Sequence, residues 1–180
     1  MNHISIEGMD GVGKSTTCKL LAERLGYEFV EKPLHYLLDE NNEITNYQEV
    51  ARKVNANPNR NFTAMFYGLG SIYMYELFKD KNIVTDRHLA SNFAWSGVDY
   101  NKDVYDLVVN KIGKPKLTII LYSPTEVIVE RLRGRNKEDK YIARAKQSEE
   151  IYERMISFCK AYAFPYVVID TSKLTPEDVV

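Results

Sequence analysis

Residues 8–15 read Gly-Met-Asp-Gly-Val-Gly-Lys-Ser, which is the spacing GxxxxGK[ST] in full. An apolar run at residues 3–6 precedes this segment and a helical pattern at 15–25 follows it, so it lies between a predicted strand and a predicted helix. Few short segments restrict a fold as tightly. Glycines let the backbone curl until successive N–H groups point inward at a phosphate, and the helix that follows adds the positive end of its dipole. Gly8, Asp10, Gly11, Val12, Gly13, Lys14, Ser15 and Thr16 are therefore the expected nucleotide-binding residues. Lys14, read as exposed at a ligand site, would reach the β- and γ-phosphates, and the Ser15 hydroxyl would ligate Mg2+.

Around this loop short strands alternate with longer helices, the mark of a parallel α/β sheet. Strands are predicted at 3–6, 28–30, 83–85, 117–122 and 166–169. Between the second and third, Phe62, Met65, Phe66, Leu69, Ile72, Tyr73 and Leu77 follow the i, i+3, i+4, i+7 spacing of one long amphipathic helix. Ser123 reads as a helix cap, with Pro124 in the first turn and Glu126 three residues on, for a helix over 123–132. Residues 134–140 lose the apolar period and are strongly charged, so a surface loop is expected there, before a long helix from 142 to 161. Thr175-Pro176-Glu177-Asp178 looks like a helix start with too little chain behind it to be stable alone.

Composition excludes several classes of protein. A chain of 180 residues, 44% of them hydrophobic, can bury the core of one domain without disulfides or metal. With 24 Lys and Arg against 25 Asp and Glu the net charge is -1, so there is no global basic field to hold nucleic acid or an anionic membrane. No apolar run approaches the length of about 18 residues that suggests a membrane span. Cys18 and Cys159 stand far apart with no CxxC, which argues against a disulfide scaffold or a zinc site and suits a reducing cytoplasm.

Two further constellations carry chemistry. Asp86-Arg87-His88 ends the third predicted strand. An aspartate at the carboxyl end of a parallel strand beside the phosphate loop can hold Mg2+ and its waters, and the adjacent arginine can face a phosphate. Arg131, Arg133 and Arg135, with Arg144 just beyond, form a basic cluster. Arg133 and Arg135, flanking Gly134, read as lid arginines that stabilise a transferring phosphoryl group, whereas Arg131 reads as a solvated helix end. A GTPase is excluded: no aspartate outside the loop is followed by glycine at the third position, and Asn110-Lys111-Ile112-Gly113 lacks a base-reading aspartate.

Together, the segments from Ile6 to Thr16 and from Thr85 to Gly97 resemble the thymidylate kinase family, the first its EGxDGxGKST loop and the second its DR[YFH]xxSxxAYxG segment. Val168-Ile169-Asp170-Thr171-Ser172 is similar to its last strand, so the resemblance spans almost the whole chain. It implies a three-layer α/β P-loop NTPase fold in one domain, a five-stranded parallel sheet flanked by helices, with a short lid near 134–141. It also implies ATP and Mg2+ as cosubstrates and phosphoryl transfer to a deoxynucleoside monophosphate, usually dTMP. By position, Lys14, Asp86, Arg87, Arg133 and Arg135 would be catalytic, with Ser15 and Asp86 at the metal. Asp10 and Arg87 would meet the acceptor's phosphate region, Asn92 and Trp95 its base and sugar, and Phe66 would stack on the base. A homodimer through the helices that flank the sheet is implied as well, with Tyr73, Tyr75 and Phe78 as candidate surface.

Three departures from the family pattern keep other readings open. The arginine that usually holds the acceptor phosphate after the second strand is replaced in Glu31-Lys32-Pro33-Leu34-His35 by an acid, so Lys32 would have to supply the positive charge. The thymine-reading arginine aligns with Gly70. Arg133 to Asp139 resembles the RGRxEE lid of deoxynucleoside kinases. An acceptor phosphate is already ionised at neutral pH, but a nucleoside hydroxyl needs a carboxylate base, for which Glu31 is the candidate. Monophosphate kinase, nucleoside kinase and a nucleotide binder without catalysis are the three readings.

Overall fold

The computed structural model describes residues 1–41, 43–136 and 141–180. Strands β1 (His3–Gly8), β2 (Glu28–Glu31), β3 (Ile83–Asp86), β4 (Leu117–Tyr122) and β5 (Tyr166–Asp170) form one sheet in the order β2-β3-β1-β4-β5, parallel throughout. The helices are α1 (Lys14–Leu25), α2 (His35–Leu38), α3 (Thr45–Ala56), α4 (Arg60–Leu77), α5 (Leu89–Ser96), α6 (Lys102–Ile112), α7 (Thr125–Arg135), α8 (Ile142–Ala145), α9 (Ser148–Ala161) and α10 (Pro176–Val179). The predicted five-stranded parallel sheet is thus observed, with four of the five strands running one or two residues longer than their apolar runs. Ile6, Val84, Ile120 and Leu121 of the inner strands are buried with Tyr105 of α6 and Met155 and Phe158 of α9.

Several elements differ from expectation. Ser123 does not cap α7; it is fully buried and its hydroxyl pairs with Thr171 Oγ1 at 2.8 Å, tying the ends of β4 and β5 together, while Pro124 takes the cap position. The long helix expected over 142–161 is two helices, α8 and α9, broken without proline or glycine where the Ser148 hydroxyl meets Thr125 Oγ1 at 2.6 Å. The expected loop from 134 begins later, because α7 runs through Gly134 and Arg135; residues 137–140 lie outside the described residues. The last turn does form as α10, closed by reciprocal Thr175 and Asp178 capping bonds and packed beside the start of α1.

Helix α4 has the predicted length but turns an unexpected face inward. Its buried residues are Thr63, Ala64, Gly68, Gly70, Ser71 and Met74. Close packing explains this: a Cβ at Gly68 would stand 3.1 Å from Val108 Cγ2 of α6, so only a small-residue face lets the helices approach. The large apolar side chains Phe62 (47% exposed), Met65 (58%), Leu69 (53%) and Ile72 (37%) are left on the outer face.

At the start of the central strand β1, His3 bonds Tyr75 OH through Nδ1 at 2.7 Å and Thr85 Oγ1 through Nε2 at 2.9 Å. The His88 ring lies edge-on to it at 4.8 Å, buried, with no hydrogen-bond partner on either nitrogen among the described residues. Burial lowers the pKa of both rings, that of His3 well below 6.5 with help from His88, and that of His88 to about 3. The unfolded chain takes up protons at these rings near pH 6.5 and the folded chain resists, so stability is full above that pH and falls as the pH drops. His88→Phe, which loses no hydrogen bond, should flatten this dependence by about 1.4 kcal/mol per pH unit between about pH 6 and 4.5. Urea unfolding across that range checks it, and an unchanged slope would count against the buried neutral ring.

Candidate active site

The phosphate loop leaves the central strand at Gly8. Its φ is 143°, and a Cβ there would stand 2.6 Å from the Leu121 carbonyl oxygen, so only glycine lets β1 pass this close to β4 while turning. Gly11 and Gly13 also have positive φ, and α1 starts at Lys14 with no side-chain cap. The first-turn N–H groups are therefore left for an anion. Lys14 is buried rather than exposed: its ammonium lies inside the loop and donates to the Met9 carbonyl at 2.7 Å. Burial, with the charge of Arg87, lowers its pKa to about 8, while Asp86 and Asp10 pull the other way. In front of the loop is a cavity of about 250 Å³ lined by Asp10, Gly11, residues 13–16, Arg131 and Arg135. Val12 points into the core instead.

The sheet register brings the second constellation to this loop. Ile6 pairs with Asp86, and Asp86 with Glu31, so β3 and β2 end level with each other, beside Ile6 and two residues before β1 reaches Gly8. The Ser15 hydroxyl donates to Asp86 Oδ2 in a short contact, which sets a hydroxyl and a carboxylate, two hard oxygen donors suited to Mg2+, side by side. Arg87 has φ +74°, a left-handed conformation that costs a non-glycine residue about 1–3 kcal/mol. It is pinned by its own N–H to the Ile6 carbonyl at 2.9 Å and by its guanidinium to Asp10 Oδ1 at 2.8 Å. Burial pushes the Asp10 carboxyl up, but the charges of Arg87, Lys14 and Arg144 outweigh it and hold the group below its ordinary pKa.

Glu7, just before the loop, is fully buried and takes the Ser91 N–H at 3.2 Å and the Ser91 hydroxyl on Oε2. Desolvation raises its pKa, against those hydrogen bonds and the charge of Arg87. Its place in the EG pair was legible in the sequence, but its bond to α5 was not.

At the end of β2, Glu31 is paired with Lys32, which has φ +46°. Pro33 and Leu34 close over Gly70: a Cβ there would stand 3.3 Å from Leu34 Cγ and 3.5 Å from Pro33 Cγ. Phe66 faces Tyr47 with ring centroids 6.5 Å apart and planes 23° from parallel. Asn92 is buried and its amide is engaged, donating to the Ala64 carbonyl at 3.1 Å and accepting from Tyr105 OH at 3.2 Å. Trp95, half-buried, carries the Arg144 guanidinium 5.3 Å above its ring.

Residues 6–180 match the sequence profile described as thymidylate kinase. The chain belongs to the thymidylate kinase family. It is 26% identical over 167 residues to a probable thymidylate kinase of Metallosphaera sedula, covering 91% of this chain and 82% of the relative. It is 29% identical over 181 residues to a putative adenylate kinase of Thermococcus kodakarensis, covering 98% and 80%. In three dimensions it is similar to a deoxyadenosine kinase from M. mycoides, with a TM-score of 0.62 at 21% identity over 97% of this chain and 93% of that one, a likeness of fold. The protein is a nucleotide kinase, a phosphotransferase, and the reading as a binder without catalysis falls away.

Within this family member the structure divides the basic cluster differently from the sequence reading. Arg131 and Arg135, one helical turn apart, share the face of α7 toward the phosphate loop, whereas Arg133 is exposed and outside the cavity lining. Arg131 is no solvated helix end: it bonds the Ser123 hydroxyl at 3.3 Å and the carbonyls of Thr171 and Ser172. The i, i+4 spacing of the two arginines was the available signal. Tyr47 carried none, since it belongs to no motif.

Because Lys14 is buried, Lys14→Ala would leave a void; Lys14→Met keeps most of the volume and removes the charge. This variant should lose at least about a hundredfold in kcat while melting within a few degrees of the wild type. Turnover within about threefold of wild type would remove Lys14 from the mechanism.

Proposed function

We propose that this enzyme transfers the γ-phosphoryl group of ATP, with Mg2+, to a deoxynucleoside monophosphate, dTMP being the first candidate. What carries the monophosphate reading over the nucleoside one is the Glu31–Lys32 pair: the one carboxylate at the end of β2 is engaged by the adjacent ammonium. A monophosphate brings its own ionised nucleophile, so no free carboxylate base is needed.

The donor phosphates would lie in the loop cavity, held by the orphan N–H groups of α1 and by Lys14, which turns from the Met9 carbonyl to a phosphate oxygen. Ser15 and Asp86 would hold the metal, which when bound offsets charge on the β- and γ-phosphates. Arg131 and Arg135 add cationic charge from α7 where negative charge spreads in the transition state. Arg87, held against Asp10 between donor loop and acceptor side, orients the acceptor phosphate for in-line attack. The pairing of Tyr47 with Phe66 gives the acceptor base an aromatic wall. With Gly70 roofed by Pro33 and Leu34, an arginine cannot read thymine from that position, so selection among bases rests on other groups.

The nucleoside reading keeps one favourable observation, the register of Glu31 directly beside Asp86. ADP release measured with dTMP, dUMP, dAMP, thymidine and deoxycytidine separates the two. Turnover is expected with a monophosphate, and Glu31→Gln should stay within about threefold of wild type, whereas a base would lose about 10²–10⁴-fold. Turnover confined to nucleosides would reverse the assignment.

The enzyme is further proposed to be a cytoplasmic homodimer; both cysteines are buried and unpaired, and no helix among the described residues is long and apolar enough to cross a membrane. The paired surface is the outer face of α4, with Phe62, Met65, Leu69 and Ile72, continued by Leu107 of α6. Tyr75 and Phe78 do not contribute as expected, since Tyr75 bonds His3 and Phe78 is buried. Met65→Glu with Leu69→Glu should halve the sedimenting mass of a folded protein. A wild type that sediments as a monomer at tens of micromolar would refute the dimer.

A further inference from the structure

Charge on the acceptor side nearly cancels within the residues already described. Lys32 offsets Glu31, Asp10 offsets Arg87 at 2.8 Å, and Lys14 belongs to the donor loop. A nucleotide monophosphate brings about two negative charges near neutral pH. Among the described residues, one further cation reaches this region. Arg144, on the short helix α8, places its guanidinium carbon 5.3 Å from the centre of the Trp95 ring and 5.7 Å from that of Tyr141. Among the described residues it forms no ion pair with a carboxylate. Its field is felt by the Asp10 carboxyl and by the Tyr67 phenol, and the same phenol feels Arg87. Arg144, itself exposed, is thus seated over Trp95 of α5, with its charge within electrostatic range of Asp10.

We infer that Arg144 is a binding residue for the acceptor's phosphate, stacked on Trp95 so that its guanidinium edge supplies the positive charge that the Glu31–Lys32 and Asp10–Arg87 pairs do not. This rests on the monophosphate reading of the acceptor. A guanidinium stacked on an aromatic face has lost much of its rotamer freedom and keeps its N–H edge for a bidentate contact with phosphate oxygens, a geometry that lysine lacks.

The test separates phosphate binding from binding of the rest of the nucleotide. Calorimetric titration of the wild type, Arg144→Gln and Arg144→Lys with dTMP and dAMP, and with thymidine and deoxyadenosine, gives the gain in affinity due to the phosphate in each protein. Arg144→Gln should reduce that gain about 10- to 100-fold, leave nucleoside and ATP affinity within about twofold, and Arg144→Lys should fall between. Trp95→Leu, which removes the platform and keeps the charge, should reproduce part of the loss. Equal weakening of monophosphate and nucleoside, weakening of ATP alone, or no change overturns the inference, as does a wild type that binds monophosphate no better than nucleoside. Turnover is scored separately. A wild type that binds monophosphates through Arg144 but does not phosphorylate them would sink the proposed reaction and leave the inference standing; monophosphate turnover with Arg144→Gln unaltered in affinity would do the reverse.

Discussion

The parallel pairing of β1 with β3 sets the positions of almost everything at this site. Because Ile6 lies beside Asp86, β3 ends two residues short of the point where β1 gives way to the phosphate loop at Gly8, and Ser15 and Asp86 come within hydrogen-bond reach without any long side chain. The same register places Glu31 one strand further out. Parallel strands with helical crossovers gather their carboxyl ends on one edge, so the phosphate loop, the Ser15–Asp86 pair and the Glu31–Lys32 pair share that edge as a matter of topology. Arg87 then adopts a left-handed backbone conformation, costly in isolation, which is over-determined by its bonds to Ile6 and Asp10.

Glu7 shows how the edge is kept rigid. A carboxylate with no exposed surface is expensive to bury, and it is retained here with two bonds to Ser91 at the first turn of α5. That bond joins the loop's first glycine to the helix that carries Asn92 and Trp95. Asn92 acts in the same layer: its amide spans from the Ala64 carbonyl on α4 to Tyr105 on α6, so three helices are fixed relative to one another beneath the acceptor side.

The sheet and the donor loop were legible in the sequence because both are local signals. Apolar runs found all five strands, and the loop's spacing with its flanking elements found the strand–loop–helix turn at Gly8–Ser15. Tertiary competition hid the rest. The apolar residues of α4 have the spacing of a core face, yet the inner face is the one with Gly68 and Gly70, because helix approach distance outweighed side-chain hydrophobicity. Ser123 has the chemistry of a cap but found a better partner in Thr171, and the α8–α9 break has no proline or glycine to announce it. Which arginine of the 131–135 run faces the phosphates depended on helix phase, which extended to Arg135 where a loop had been expected.

The stretch from Glu31 to Leu34 has two tasks in four consecutive residues. Its first half sets the charge facing the acceptor and its second half roofs Gly70 beside the aromatic wall. A lineage that sought a different base would have to open the Leu34 roof. Doing so would disturb the left-handed turn at Lys32 and, with it, the partner of Glu31. The charge pairing at Glu31 and the packing over Gly70 are therefore not free to drift separately. Single changes there should be costly where paired changes are tolerated, the pattern of strong epistasis between neighbours.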